Sequence, residues 1–321
     1  MNVKNLTTAA VLSAAFIISS LIFIGLGLGY LGYIDFIVPV FIAIIMLKCD
    51  MKYSILSSIT SFLLIIFVIG DLSSAIMMVQ SMILGIVIGI AIKRGKRIYD
   101  DILYCSIFAC FLIIIVDINF SVLTGYSLLK ECQEYLKYIP TGFEYIKDTV
   151  FYITIATLPV GTVILCYLLT LILGKRFKVL NKDGIIKANM IINYKKYGGL
   201  ISCSRKAIYI SLLLFVIFIS INNIKFINNV TYLKVICNCE SYIIIFFILQ
   251  DSLGTINKYI FFRTKSRAKM LFGQMIILCL LLNLFKATTI IMIGVSLFLE
   301  NKYKIKIREE SILNKVVNVF L

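Results

Sequence analysis

The sequence predicts an all-α polytopic membrane protein, a transmembrane helical bundle of eight to ten spans with a cytoplasmic N-terminus. Three observations carry this. Of 321 residues, 61% are hydrophobic and the mean hydropathy is +1.01, more apolar material than a soluble chain of this length hides in a core. Much of it lies in uncharged stretches of about 20 residues, long enough to span roughly 30 Å of hydrocarbon. The loops between them alternate between cation-poor and cation-rich, the pattern that fixes orientation in a bilayer.

Taken in order, apolar runs fall at 7–31, 36–47, 53–69, 72–92, 102–124, 149–173, 207–221, 235–254, 270–285 and 287–299. The first is too long for the apolar part of a cleavable signal peptide and reads as a spanning helix. Within it, Ala9-x-x-x-Ser13 and Ala10-x-x-x-Ala14 place small side chains at helical spacing, letting another backbone come close. Ala10, Ala14, Ala9 and Ser13 are therefore candidate partner-docking residues. The run at 36–47 is short and holds Pro39, which predicts a kinked, tilted or re-entrant helix. The last two runs read as a hairpin interrupted at Asn283 and Lys286, returning the C-terminus to the cytoplasmic side. With the N-terminus inside, the outer loops hold only Lys130, Lys137, Lys147, Lys225 and Lys234. Every other lysine and arginine, Lys286 at the final turn apart, falls inside. The net charge of +16 thus sets topology and does not point to nucleic acid.

Two loops are long enough to act. The outer loop 125–148 carries Leu128, Cys132, Tyr135 and Tyr138 or Ile139 at roughly helical spacing before a turn at Pro140-Thr141-Gly142. It is either an amphipathic lid or a connector with interfacial tyrosines. The inner loop 174–206 includes "GIIKANMIINYKKYGG", apolar and basic together. Such a segment is expected on an anionic leaflet, or docking a cytoplasmic partner. The chain divides into a six-span bundle at 1–174, a basic amphipathic segment at 175–206, and a C-terminal bundle of three to four spans at 207–321.

The chemistry available is narrow. The chain has no histidine, which excludes rhomboid-type serine proteases, H-E-x-x-H metalloproteases and histidine-ligated haem. Its nine cysteines lie mostly inside apolar runs, where cysteine serves as a small hydrophobe. Cys237 and Cys239 form a lone C-x-C, short of a zinc site or a disulfide framework. Gly27-Leu28-Gly29-Tyr30-Leu31-Gly32 matches G-x-G-x-x-G literally, but it ends a transmembrane helix and lacks the βαβ setting of a dinucleotide site. Tyr99-Asp100 and Gly70-Asp71 face opposite surfaces and make no aspartyl protease dyad. No catalytic set, metal site or cofactor is expected, and the protein is not expected to be an enzyme. Acids in the outer half are costly in or near hydrocarbon. Asp35 and Asp71 suit helix starts; Asp117, followed by Asn119, sits inside an apolar run, and Gln80 lies near the middle of its span. Converging, Asp117, Gln80, Asp71 and Asn119 would line an outward-facing pocket for a small cationic or hydrogen-bonding solute. Glu240, Gln250, Asp251 and Lys286 read as interhelical pairs.

The small-residue first span, the glycine-rich turn, the proline-bearing second span and the "KRGKR" ending of the fourth resemble the YybS-like family of bacterial membrane proteins. The stretches "ILQDSLGTINKYIFF" and "GVSLFLENKYKIKIRE" add to the likeness. It implies a multi-pass protein of the bacterial cytoplasmic (inner) membrane. The first six spans also resemble the S components of energy-coupling-factor transporters. That likeness implies a transmembrane coupling subunit docked at Ala10 and Ala14, separate ATPases, and a vitamin or metal ion bound from outside under the Gly29 to Asp35 loop. The chain has no G-x-x-x-x-G-K-[ST] loop of its own. The expected function is binding, and help in transporting, a small vitamin-like or cationic solute with separate energising partners. The alternative is a scaffold or assembly factor of the cell envelope. Beyond the lipid bilayer and such partners, no nucleic acid is expected.

Overall fold

The structure, a computed structural model, describes residues 3–70, 72–95, 97–138, 144–222 and 231–320. Among them there is no strand. Six helices are long and apolar enough to cross a membrane: Val3–Gly25, Ser74–Lys93, Ile98–Val122, Lys147–Arg176, Arg205–Asn222 and Thr231–Thr264.

Helix α1 (Val3–Gly25) buries one narrow stripe of Ala9, Ser13, Phe16 and Ser20. A nine-residue π-helical turn, Gly29–Ile37, leads into α2 (Val38–Ile69), with Pro39 in its first turn where no backbone donor is lost. Asp50 interrupts α2 at φ 72° and ψ 171°, and there the chain doubles back. Phe41, before the break, packs on Phe16 with ring centroids 5.4 Å apart. Ser57, after it, accepts a hydrogen bond from Ser13 at 2.7 Å. On a straight helix Phe41 and Ser57 would lie about 24 Å apart, whereas Ser13 and Phe16 are separated by about 4.5 Å of rise. The short proline-bearing run is therefore an arm of its own, lengthened by the π-helical turn. Lys93 pairs with Asp50 at 2.6 Å and ties this bend to the end of α3 (Leu72–Lys93).

Helices α2 and α3 meet at Gly85 and Gly89. A Cβ on Gly85 would lie 2.4 Å from the Pro39 carbonyl oxygen, and one on Gly89 2.6 Å from Met46 Cγ. This Gly85-x-x-x-Gly89 spacing lets two backbones touch, so dispersion contacts replace the hydrophobic drive that lipid does not supply. Helices α4 (Ile98–Thr124) and α6 (Glu144–Arg176) complete the N-terminal core, in which Ile88, Leu103, Ile114, Val163 and Leu171 are buried together.

Between them, α5 (Leu128–Leu136) lies outside the spans. Leu129 is buried, and Cys132 and Leu136 pack against the same core, while Tyr135 and Tyr138 are exposed. The expected amphipathic helix is present with its apolar face rotated from Leu128 and Tyr135 onto Leu129. Ile139 and the turn at Pro140-Thr141-Gly142 lie outside the described residues.

On the basic side, α7 (Lys182–Ile192) buries Gly184, Ile186, Lys187, Ala188 and Met190. It is a plug in the end of the bundle, not a helix resting only on lipid. Lys187 is 0% exposed and donates to the carbonyls of Ala91, Ile92 and Arg94 and to Asp101 Oδ2 at 2.6 Å. A cation thereby neutralises the carbonyl end of α3. A short helix α8 (Tyr194–Tyr197) and a 3₁₀ turn (Gly198–Leu200) follow.

The C-terminal part comprises α9 (Arg205–Asn222), α10 (Thr231–Thr264), α11 (Arg267–Asn283), α12 (Phe285–Tyr303) and α13 (Ile305–Phe320). Helix α10 is central, packing on α4, α6, α9, α11 and α12. Helices α11 and α12 form the expected hairpin. Glu300, near the end of α12, accepts from Arg205 and from the Lys306 backbone N–H, so α13 returns to the side that carries α7.

Candidate functional site

Where α4, α10, α12 and α13 converge on the basic side, the chain threads through as Ile201-Ser202-Cys203-Ser204. This extended stretch has no ladder partner, so side chains satisfy its backbone. Cys203 N–H donates to Asp251 Oδ1 at 2.9 Å, and its carbonyl accepts from Arg97 at 3.0 Å and Lys306 Nζ at 3.1 Å. Ser204 N–H donates to Asp100 Oδ1 at 2.8 Å, and Ser202 Oγ to Glu309 Oε2 at 2.6 Å. Two ion pairs close the junction: Lys306 with Asp251 at 2.7 Å, almost wholly buried, and Lys258 with Glu309 at 2.6 Å. Burial, and then the Asp251 carboxylate, push the Cys203 thiol well above its usual range, which makes it a poor nucleophile.

Beside this junction lies a cavity of about 630 Å³. Its wall on α10 is Gln250, Asp251, Leu253, Gly254, Asn257, Lys258 and Phe261; opposite stand Met270, Gln274, Ile277, Leu278 and Leu281 of α11. Tyr99 and the stretch from Tyr194 to Ser202 close the end. The α10 wall offers the amides of Gln250 and Asn257, the α11 wall is hydrocarbon apart from Gln274, and the hydroxyls of Tyr99, Tyr194 and Ser202 stand at the end. A Cβ on Gly254 would meet nothing within 4 Å, because the cavity begins there. Asn257 Oδ1 is buried and has no hydrogen-bond partner. The volume falls within the range of about 300–1,000 Å³ typical of small-molecule pockets.

The residues expected to form an outer site are dispersed. Asp117 is buried and accepts from Ser127 Oγ at 2.9 Å and from Leu128 N–H at 2.6 Å, so it anchors the start of α5. Asn119 is exposed and donates to Ile115 O in its own helix. Gln80 lines a different space, a cavity of about 40 Å³ shared with Asp35, Ser81 and Thr162. That volume holds a few waters at most. Asp71 lies outside the described residues. Asp117, Asn119 and Gln80 therefore do not share a cavity.

The small residues of α1 divide between two faces. Ala9 and Ser13 are buried against α2, whereas Ala10 and Ala14 are exposed. The Gly27 to Gly32 motif closes α1 and enters the π-helical turn, with Gly27 and Gly32 at φ 73° and 96°. Its glycines serve backbone conformations that other residues adopt only under strain. Among the described residues no group of three His, Cys, Asp or Glu side chains is placed to hold a metal ion.

The inner cavity escaped sequence reasoning because its walls come from four separate stretches. One signal was present. The "ILQDSLGTINKYIFF" stretch contributes Gln250, Asp251, Gly254, Asn257 and Lys258, four polar side chains and a glycine on a spanning helix.

Residues 14–142 match a family model described as a predicted membrane protein, DUF2232. The chain is a polytopic helical membrane protein. The match runs from Ala14 in α1 past the end of α5, and the cavity residues of α10 and α11 lie beyond it. Comparison with curated proteins and with solved structures gives no match.

Proposed function

We propose that this membrane protein binds a small solute in the inner cavity without transforming it, and takes part in moving it across a bacterial cytoplasmic membrane together with separate partner proteins. The observation that carries this reading is a ligand-sized volume in which a few amides and hydroxyls (Gln250, Asn257, Gln274, Tyr99) are set among hydrocarbon side chains. Among the described residues that line it, no nucleophile is paired with a base. The exposed Ala10 and Ala14 face supports a partner helix, since its Ala9 and Ser13 neighbours are already occupied within the chain. The resemblance of the first six spans to S components supports the same division of labour.

The test is ligand-dependent thermal stabilisation of the purified protein against vitamins, metal ions and lipid-like amphiphiles. A saturable shift that disappears in Gly254→Leu, a change whose Cβ enters the cavity with nothing within 4 Å, is the expected result. If no compound shifts the melting temperature, or if the shift survives Gly254→Leu, the cavity is not the binding site.

A scaffold without transported solute is the second reading, and the exposed Ala10 and Ala14 face favours it as well. It predicts that Ala10→Leu with Ala14→Leu releases copurifying proteins while Gly254→Leu leaves the cellular phenotype intact. The transport reading predicts that both changes abolish it.

A further inference from the structure

We infer that the ligand of the inner cavity is an uncharged amphiphile from the bilayer, with a hydroxyl- or N–H-bearing head and a hydrocarbon tail; this rests on the cavity being a binding site. The argument starts with charge. Only two charged side chains line the cavity, and both are committed: Asp251 uses one oxygen on Lys306 and the other on Cys203 N–H, and Lys258 is held by Glu309. An ionic head would enter a low-dielectric space with no unpaired counter-charge, and desolvating it there is costly.

The remaining polar atoms ask for a neutral donor. Asn257 Oδ1 is a buried acceptor without a partner, the type of group that a ligand O–H or N–H satisfies. Gln274 and the mutually hydrogen-bonded Tyr99 and Gln250 stand around the same space, each with capacity left for a further hydrogen bond.

The route of access follows from α11. One face of this helix supplies Gln274 and Ile277 to the cavity, while Leu271, Phe272, Met275 and Ile276 on the other are exposed. Such residues face acyl chains in a membrane, and because Leu278 and Phe261 line the cavity and are themselves exposed, the cavity opens toward lipid at the edge of α11. A ligand already dissolved in the bilayer reaches the site by passing this helix, and its tail remains in hydrocarbon throughout.

The experiment measures binding of three probes to the full chain in detergent by native mass spectrometry and thermal shift. They are dioleoylglycerol, dioleoyl phosphatidic acid and free glycerol. The expected result is saturable binding of dioleoylglycerol, weakened about tenfold or more by Asn257→Leu and by Gly254→Leu and unchanged by Val122→Ala at a distant exposed position. Phosphatidic acid and glycerol should bind at least tenfold more weakly. Preference for phosphatidic acid, lost in Gly254→Leu, would keep the cavity as a site and overturn the uncharged head. Binding of dioleoylglycerol that ignores both cavity changes would overturn the assignment of this ligand to the cavity. No binding by any probe, when another compound still binds and is displaced by Gly254→Leu, would overturn the lipid-derived class alone.

Discussion

Replacing Lys306 with methionine should unfasten the junction that floors the cavity. Lys306 and Asp251 are 4% and 2% exposed at 2.7 Å, so removing the ammonium strands a buried carboxylate, at a cost of about 3–5 kcal/mol. Asp251→Leu strands the ammonium instead and should cost a similar amount. If the two losses were independent, the double variant would lose about 6–10 kcal/mol. The structure says otherwise, since with both charges gone the chief remaining defect is the Cys203 N–H. The Cys203 carbonyl keeps Arg97 as its donor. One unsatisfied buried donor costs about 1–3 kcal/mol, so the double variant should be more stable than either single one. The assay is denaturant or thermal unfolding in detergent. Alkylation of Cys203 reports opening at the site, because its buried thiol is now a poor nucleophile and should react only in the single variants. Strict additivity, or single losses below about 1 kcal/mol, would refute the claim that this pair is an enclosed, mutually dependent unit.

Four further outcomes follow from other contacts. Gly85→Ala should destabilise the α2–α3 contact by about 1–3 kcal/mol although alanine is the better helix former, because the new Cβ lies 2.4 Å from the rigid Pro39 carbonyl oxygen; Gly89→Ala should cost less, since Met46 Cγ can turn away and the nearest backbone-fixed atom there, Met46 Cβ, is farther at 2.8 Å, and thermal unfolding of the pair checks the order. Glu240 is 0% exposed with only the Cys110 thiol, a weak partner, beside its carboxyl among the described residues, so Glu240→Leu should raise stability by about 1–3 kcal/mol, and a lower melting temperature would show that the carboxyl has an essential partner. Asp117→Ala should free the start of α5 at a cost of about 1–2 kcal/mol, seen as faster limited proteolysis of the outer loop, while ligand binding in the inner cavity is unchanged. Ser311→Cys in a cysteine-free background should be labelled by a membrane-impermeant maleimide only from the side that exposes Lys195 and Lys196; labelling from the opposite side would break the α11–α12 hairpin topology.

How far the sequence could be read depended on the range of the interaction. The all-α, membrane-spanning character and the order of the apolar helices were legible because they follow from local hydropathy, a constraint the bilayer itself imposes. The hairpin at α11 and α12, the bend near Asp50 and the amphipathic α5 came from the same local signals. The Gly85-x-x-x-Gly89 spacing was equally local, though its weight appears only with α2 in place. The site was not legible in this way. Asp117 inside an apolar run signals a buried acid, but the same signal suits a ligand group or an anchor, and only the position of Ser127 and Leu128 identifies the anchor. Lys187 reads as one more surface cation until α3 ends above it.

By itself, then, the sequence determined a membrane-spanning helical chain with its cations gathered on one side, because hydrophobic length and charge act within each segment. The tertiary structure alone decided which polar groups neutralise one another and which remain available. Asp251 and Lys258 of α10 pair with Lys306 and Glu309 of α13, which lie 55 and 51 residues further along the chain, and this pairing leaves Asn257 Oδ1 as the buried polar atom without a partner beside the cavity. Pairing depends on distances of a few ångströms between groups remote in sequence, and no pattern along the chain encodes it.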